Sequence, residues 1–285
     1  MSTKFKTLGQ RVSTAIIFGI IMIAGIYISP LSLLGLFGVI LFLDLKEYFR
    51  VAFTNDHNAQ KTYAVWGPVL CFLPYLFVIA DKGFHCYHFP NGYVYQLIFA
   101  LPVFIGLLIE LLKKGMQVFS RIGILALGLA YLTIPVSLVA ALAVQENSFH
   151  PHIVMGLLIL TWVNDSGAYF MGSIYGKHKL YPAISPGKTW EGIIGGIIST
   201  LLLAWSFSYF FGEFTAIEWT VLGIIVMIFA TLGDLTESML KRNFGVKDSG
   251  TLMPGHGGIL DRFDAYLFLI PFAYIYIAFI SGWLF

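Results

Sequence analysis

The chain has 285 residues, 58 % of them hydrophobic and 11 % charged, with a net charge of +2 and a mean hydropathy of +0.82. Soluble domains carry about 25 % charged residues; here the apolar excess falls into repeated runs of 17–23 residues, the length that crosses a bilayer as helix. A soluble globular enzyme is therefore excluded, dispersed basic residues offer no patch for nucleic acid, and two cysteines without a C-x-x-C give neither a disulfide framework nor a zinc site.

The predicted fold class is all-α, a polytopic integral membrane protein of about nine transmembrane helices. The first span, 13–29, follows Lys4, Lys6 and Arg11 in the manner of a signal peptide. It is long for one and no A-x-A site follows, so it reads as uncleaved. The second, 31–47, is the weakest, because its uninterrupted apolar stretch ends at residue 43 and is short enough to be re-entrant or interfacial. The others are 63–80, 93–112, 122–144, 152–171, 192–211, 217–237 and 265–284.

Lys and Arg accumulate in cytoplasmic loops. Nine spans with a cytoplasmic N-terminus leave only Lys82, of 17 basic residues, on the far side. Without span two, the best orientation places 13 inside and 4 outside. Both counts put segments 172–191 and 238–264 in the cytoplasm. No internal repeat of the kind found in many transporters is evident. Residues 1–150 hold few polar groups within their spans and read as scaffold, dimerisation or lipid-access helices. Residues 151–285 hold many and read as the catalytic region.

A carboxylate at mid-bilayer costs about 2.5–3.5 kcal/mol on insertion scales, so each marks a candidate site. In "TWVNDSGAYFMG", 161–172, Asn164, Asp165 and Ser166 interrupt an apolar run. Asn and Ser alone would suit helix packing, whereas Asp165 calls for a cation or a hydrogen-bonded partner. In "ATLGDLTESMLKR", 230–242, Asp234, Glu237 and Ser238 share one helical face that Lys241 continues. Asp234 lies deeper, and a solvated helix end accounts for Glu237.

Next comes "KDSGTLMPGHGGILDRFD", 247–264, where Asp261 and Asp264 sit one turn apart as the last span begins. A charged helix start explains one acid there, but not two beside Asp234. Such oxygen-rich sets hold hard divalent cations such as magnesium. Lys241, Arg242, Lys247, Asp248 and Arg262 share the segment, and glycines including Gly257 and Gly258 permit close backbone approach. Together they suit a triphosphate. His256, between two glycines, reads as structural, phosphate donor or proton carrier.

"SPGKTWEG", 185–192, contains a G-K-T, yet residue 182 is Pro where a phosphate-binding loop needs its first Gly. Lys188 still suits a phosphate, with Ser185 or Thr189 as donors.

Residues 238–264, "SMLKRNFGVKDSGTLMPGHGGILDRFD", resemble the signature of the phosphatidate cytidylyltransferases, or CDP-diacylglycerol synthases, at every fixed position. "DSGAYFMG", "SPGKTWEG" and "LGDLTES" resemble further segments of that family in its order, and "KEYF" at 46–49 is a fainter echo. The resemblance implies transfer of CMP from CTP to phosphatidate, giving CDP-diacylglycerol and pyrophosphate. It implies a homodimer, magnesium held by Asp234, Asp261 and Asp264, and a second cation such as potassium, towards which Asp165 is a candidate. It also implies a bacterial inner-membrane enzyme with its site facing the cytoplasm. Related readings are a CTP-dependent lipid kinase, an ether-lipid cytidylyltransferase and, more remotely, an ion-coupled transporter.

Overall fold

The computed structural model describes residues 2–84, 93–113, 117–145, 148–250, 252 and 257–282, with the side chains of 2–12, 57, 58 and 93 excepted. Helices dominate: α1 (Ser2–Tyr27), α2 (Pro30–Ala52), α3 (His57–Phe84), α4 (Tyr93–Leu112), α5 (Val118–Gly128), α6 (Ile134–Ala143), α7 (Pro151–Tyr175), α8 (Trp190–Phe210), α9 (Ala216–Asn243) and α10 (Leu260–Ile280). Two small antiparallel hairpins accompany them, β1 (Val144–Gln145) with β2 (Ser148–Phe149) and β3 (Lys179–Tyr181) with β4 (Ser185–Thr189). The protein is an all-α polytopic membrane protein.

Among the described residues, seven helices are long and apolar enough to cross a membrane. They are α3, α4, the continuous stretch Val118–Ala143, and α7 to α10. The described apolar part of α1, Ser13–Tyr27, is shorter. Helix α2 has 23 residues, but its second half carries Asp44, Lys46, Glu47 and Arg50. The outer faces of the long helices present Leu, Ile and Phe, such as Leu97, Phe104, Leu202 and Phe279. Hydrocarbon is the solvent there, so apolar exposure carries no cost.

Local chemistry sets the helix ends and irregularities. Ser29 and Ser32 form a reciprocal capping box that starts α2, and Thr215 with Glu218 does the same for α9, satisfying otherwise orphaned N–H groups. Pro135 lacks the N–H that a regular helix would use, and the turn before it, Leu129–Thr133, widens to a π-helix joining α5 to α6.

The chain forms two compact units, Met1–Phe149 with Asp248–Asp261, and His150–Lys247 with Arg262–Phe285. In the first, Phe37, Tyr48 and Phe49 are fully buried, and the Tyr48 hydroxyl donates to the Ile124 carbonyl at 2.9 Å. A polar network joins its helices as well. Arg121 pairs with Asp56 at 2.8 Å and with Glu110 at 3.0 Å, and Tyr63 donates to Glu110 at 2.9 Å.

In the second unit, α7 and α8 approach at backbone distance through facing glycines. A Cβ at Gly196 would come within 2.8 Å of the Asn164 side-chain oxygen, and one at Gly192 within 2.8 Å of the Ala168 carbonyl. Small residues facing each other are how membrane helices pack tightly without a hydrophobic driving force. Trp219 of α9 is fully buried against Phe207 at a ring separation of 5.2 Å, and Phe229 stacks on Phe272 of α10 at 3.6 Å.

Candidate active site

Strand β4 runs straight into α8. Thr189 is the N-cap, its hydroxyl accepting from the Gly192 N–H at 3.1 Å. This anchor points the preceding residue, Lys188, at α9. The Lys188 Nζ lies 2.7 Å from Asp234 Oδ2 and donates to the Thr231 carbonyl at 3.4 Å. The other Asp234 oxygen accepts from Ser238 Oγ at 3.3 Å. Gly187-Lys188-Thr189 is thus extended strand leading to a helix cap, not a loop wrapped around a phosphate.

Two further carboxylates stand within electrostatic reach of Asp234, namely Asp165 of α7 and Asp264 of α10. Asp264 is 7 % exposed. Both feel Asp234, with Lys188 and Arg262 acting on Asp165, and Lys241 on Asp264, in the opposite sense. A Cβ at Gly233 would meet the Asp264 carbonyl at 3.0 Å, so only glycine lets α9 and α10 come this close. Three acids drawn from three helices, balanced by three cations, form the polar centre of the second unit. Like charges at such range repel and need counter-charge.

Glu237 departs from its expected solvated helix end. It is 1 % exposed and pairs with Lys241 at 2.5 Å. Helical spacing placed both residues on one face but foresaw neither the pair nor its burial. Lys241 is engaged there, and Arg242 donates to the Val246 carbonyl at 3.0 Å. Lys247, Asp248 and Arg262 are exposed, while Ser185 is partly covered in β4.

Within the first unit, Asp261 receives backbone amides. Gly258 N–H donates to its Oδ2 at 2.8 Å, and Ser249 N–H reaches both oxygens at 3.3 and 3.2 Å. Gly257 adopts φ +85°, and a Cβ there would lie 2.6 Å from the Asp261 carboxylate, so glycine is required on both counts. His256 lies outside the described residues.

The donor chemistry of these acids is that of a hard divalent ion. Among the described residues, however, no three His, Cys, Asp or Glu side chains are gathered as one ligand group. An ammonium, that of Lys188, holds the position beside Asp234.

Sequence reasoning missed Glu47 and Arg50, and the Ser249 that both of them hold, in the first unit. Glu47 of α2 accepts from Ser249 Oγ at 2.8 Å and from the Leu260 N–H at 3.0 Å. Arg50 donates to the Ser249 carbonyl at 2.6 Å. The available signal was the crowd of charges in the weakest span, together with the K-E-Y-F echo.

The model of the Cytidylyltransferase family matches residues 9–280. The chain belongs to that family. Within it, a phosphatidate cytidylyltransferase of Staphylococcus aureus (strain COL) is 49 % identical over 122 residues, 42 % of this chain and 46 % of its own. The match thus spans about half the length of that relative. A phosphatidate cytidylyltransferase of Haemophilus influenzae is 43 % identical over 182 residues, 60 % of this chain and 63 % of its own. One from Staphylococcus saprophyticus is 34 % identical over 263 residues, 92 % of this chain and 95 % of its own. Family membership thus takes in both halves, including the generic helices before residue 150.

Proposed function

We propose that this protein transfers CMP from CTP to phosphatidate, yielding CDP-diacylglycerol and pyrophosphate. The family match over residues 9–280 supports the reaction class, and relatives carrying that name support the substrates. The observation that carries the reading in the structure is the Lys188–Asp234 pair at 2.7 Å inside the set of Asp165, Asp234 and Asp264. A binding site for a polyanion and its counter-ion needs both signs of charge in one place, and few membrane interiors tolerate either.

In this reading a phosphatidate oxygen forms a bond to the α-phosphorus of CTP as the bond to pyrophosphate breaks. The attacking phosphate is already anionic, so proton abstraction contributes little. Catalysis rests on positioning and on stabilising charge. Lys188, Lys247 and Arg262 contact phosphates, with Ser185, Thr189, Lys241, Arg242, Asp248, His256, Gly257 and Gly258 completing the nucleotide surroundings. Asp234, Asp261 and Asp264 hold magnesium, and Asp165 sits by a second cation such as potassium. Magnesium, when bound, neutralises phosphate charge and steadies the leaving pyrophosphate.

The same proposal places the protein as a homodimer in a bacterial inner membrane, with nine crossings and a cytoplasmic N-terminus. Counted with nine crossings, all basic residues but Lys82 fall on one side, which supports that orientation, and CTP is available in the cytoplasm. Purified protein given phosphatidate and CTP labelled in cytosine should move label into lipid. Entry of γ-phosphate label alone would replace this reading with that of a lipid kinase.

A further inference from the structure

The carboxylate of Glu47 is buried, and it is engaged by a segment some two hundred residues distant. Its Oε2 accepts from both the Ser249 hydroxyl at 2.8 Å and the Leu260 amide at 3.0 Å. It is also packed so closely that a Cβ at Gly250 or at Gly258 would collide with its oxygens. Two glycines of the 247–264 stretch therefore answer to one side chain on α2.

Ser249 is the link. Its hydroxyl lies on Glu47, its carbonyl accepts from Arg50 at 2.6 Å, and its N–H donates to Asp261. With Gly258, whose position Glu47 also limits, Ser249 supplies the amides that orient the Asp261 carboxylate. A charged acceptor and a charged donor gripping opposite sides of one residue form strong, directional bonds.

We propose that Glu47, assisted by Arg50, is a positioning residue for the transfer reaction: it fixes Ser249, and through Ser249 the Asp261 carboxylate. This rests on the cytidylyltransferase reading. Outer residues that orient a reacting or ligating carboxylate commonly change activity by about 10–100-fold when removed.

The test uses detergent-purified full-length protein, wild type and the variants Glu47→Ala, Ser249→Ala and the double variant. Turnover from CTP and phosphatidate gives kcat and KM, and hydrogen exchange reports on peptides covering 248–261. Glu47→Ala should lower kcat by about 10–100-fold with the phosphatidate KM little changed. Exchange should accelerate in 248–261 and stay unchanged in α7 to α9. Ser249→Ala should add nothing further in the Glu47→Ala background, because both act through one link.

Wild-type kcat in Glu47→Ala would overturn the proposal. So would accelerated exchange spread evenly through all helices, which marks general loss of packing. If wild-type protein transferred no cytidylyl group, the reaction reading would fall, and the exchange comparison would still decide whether Glu47 anchors the loop.

Discussion

The Lys188 ammonium and the Asp234 carboxylate meet at 2.7 Å, joining the strand before α8 to the middle of α9. Two segments 46 positions apart in sequence are thereby clasped beside Asp165 and Asp264. Lys188→Met should cut turnover by about 100-fold or more, the size of losing one charge-stabilising contact in a reaction of this type. Turnover in micelles at saturating CTP and phosphatidate measures it; a loss under threefold would take Lys188 out of the site.

Asp234→Asn, Asp261→Asn and Asp264→Asn should each abolish transfer while the protein still inserts and purifies normally. Each keeps the shape of the side chain and removes its charge. Normal activity in any one of them would remove that residue from the proposed magnesium set.

Chelation of divalent ions should stop turnover, and added magnesium should restore it. A hard-oxygen donor set favours magnesium over zinc or copper. Undiminished activity in excess chelator, measured by label transfer to lipid, would end the metal assignment.

Glu237→Gln should act mainly on stability. The change leaves Lys241 next to a neutral amide within a buried site, and a lost charged hydrogen bond is worth about 1.5–3 kcal/mol. A lowered melting temperature with less than a tenfold fall in kcat is expected. Loss of activity equal to that of Asp234→Asn would assign Glu237 a direct part in the reaction.

Gly233→Ala should disturb the site without touching a charged group. The added Cβ would meet Phe268 Cβ at 2.7 Å and the Asp264 carbonyl at 3.0 Å, so α9 and α10 must separate. Overpacking of this kind costs about 1–3 kcal/mol. Thermal unfolding and turnover should fall together; unchanged values for both would show that the helices adjust freely.

Much of the membrane architecture was legible because hydrocarbon imposes a length, and residues 63–80, 93–112 and 152–171 fall inside helices of that length. Asp165 and Asp234 stood out for a related reason: a charge inside an apolar run is costly and so marks a candidate site. What escaped was pairing over long separations. Glu47 falls at the end of the weak second span, and nothing in its neighbours names Ser249 as its partner. The β3–β4 hairpin escaped because strands of three and five residues, with Pro182 between them, carry no periodic signal. Glu237 misled since helical spacing fixes a face and says nothing about what covers it.

Glu47 emerges from the ribosome 202 residues ahead of Ser249. At about 5–20 residues per second that is roughly 10–40 s of synthesis, during which the carboxylate has none of the contacts it later makes with that segment. The two bonds that seat the Glu47 carboxylate therefore form only after helices α3 to α9 have been synthesised.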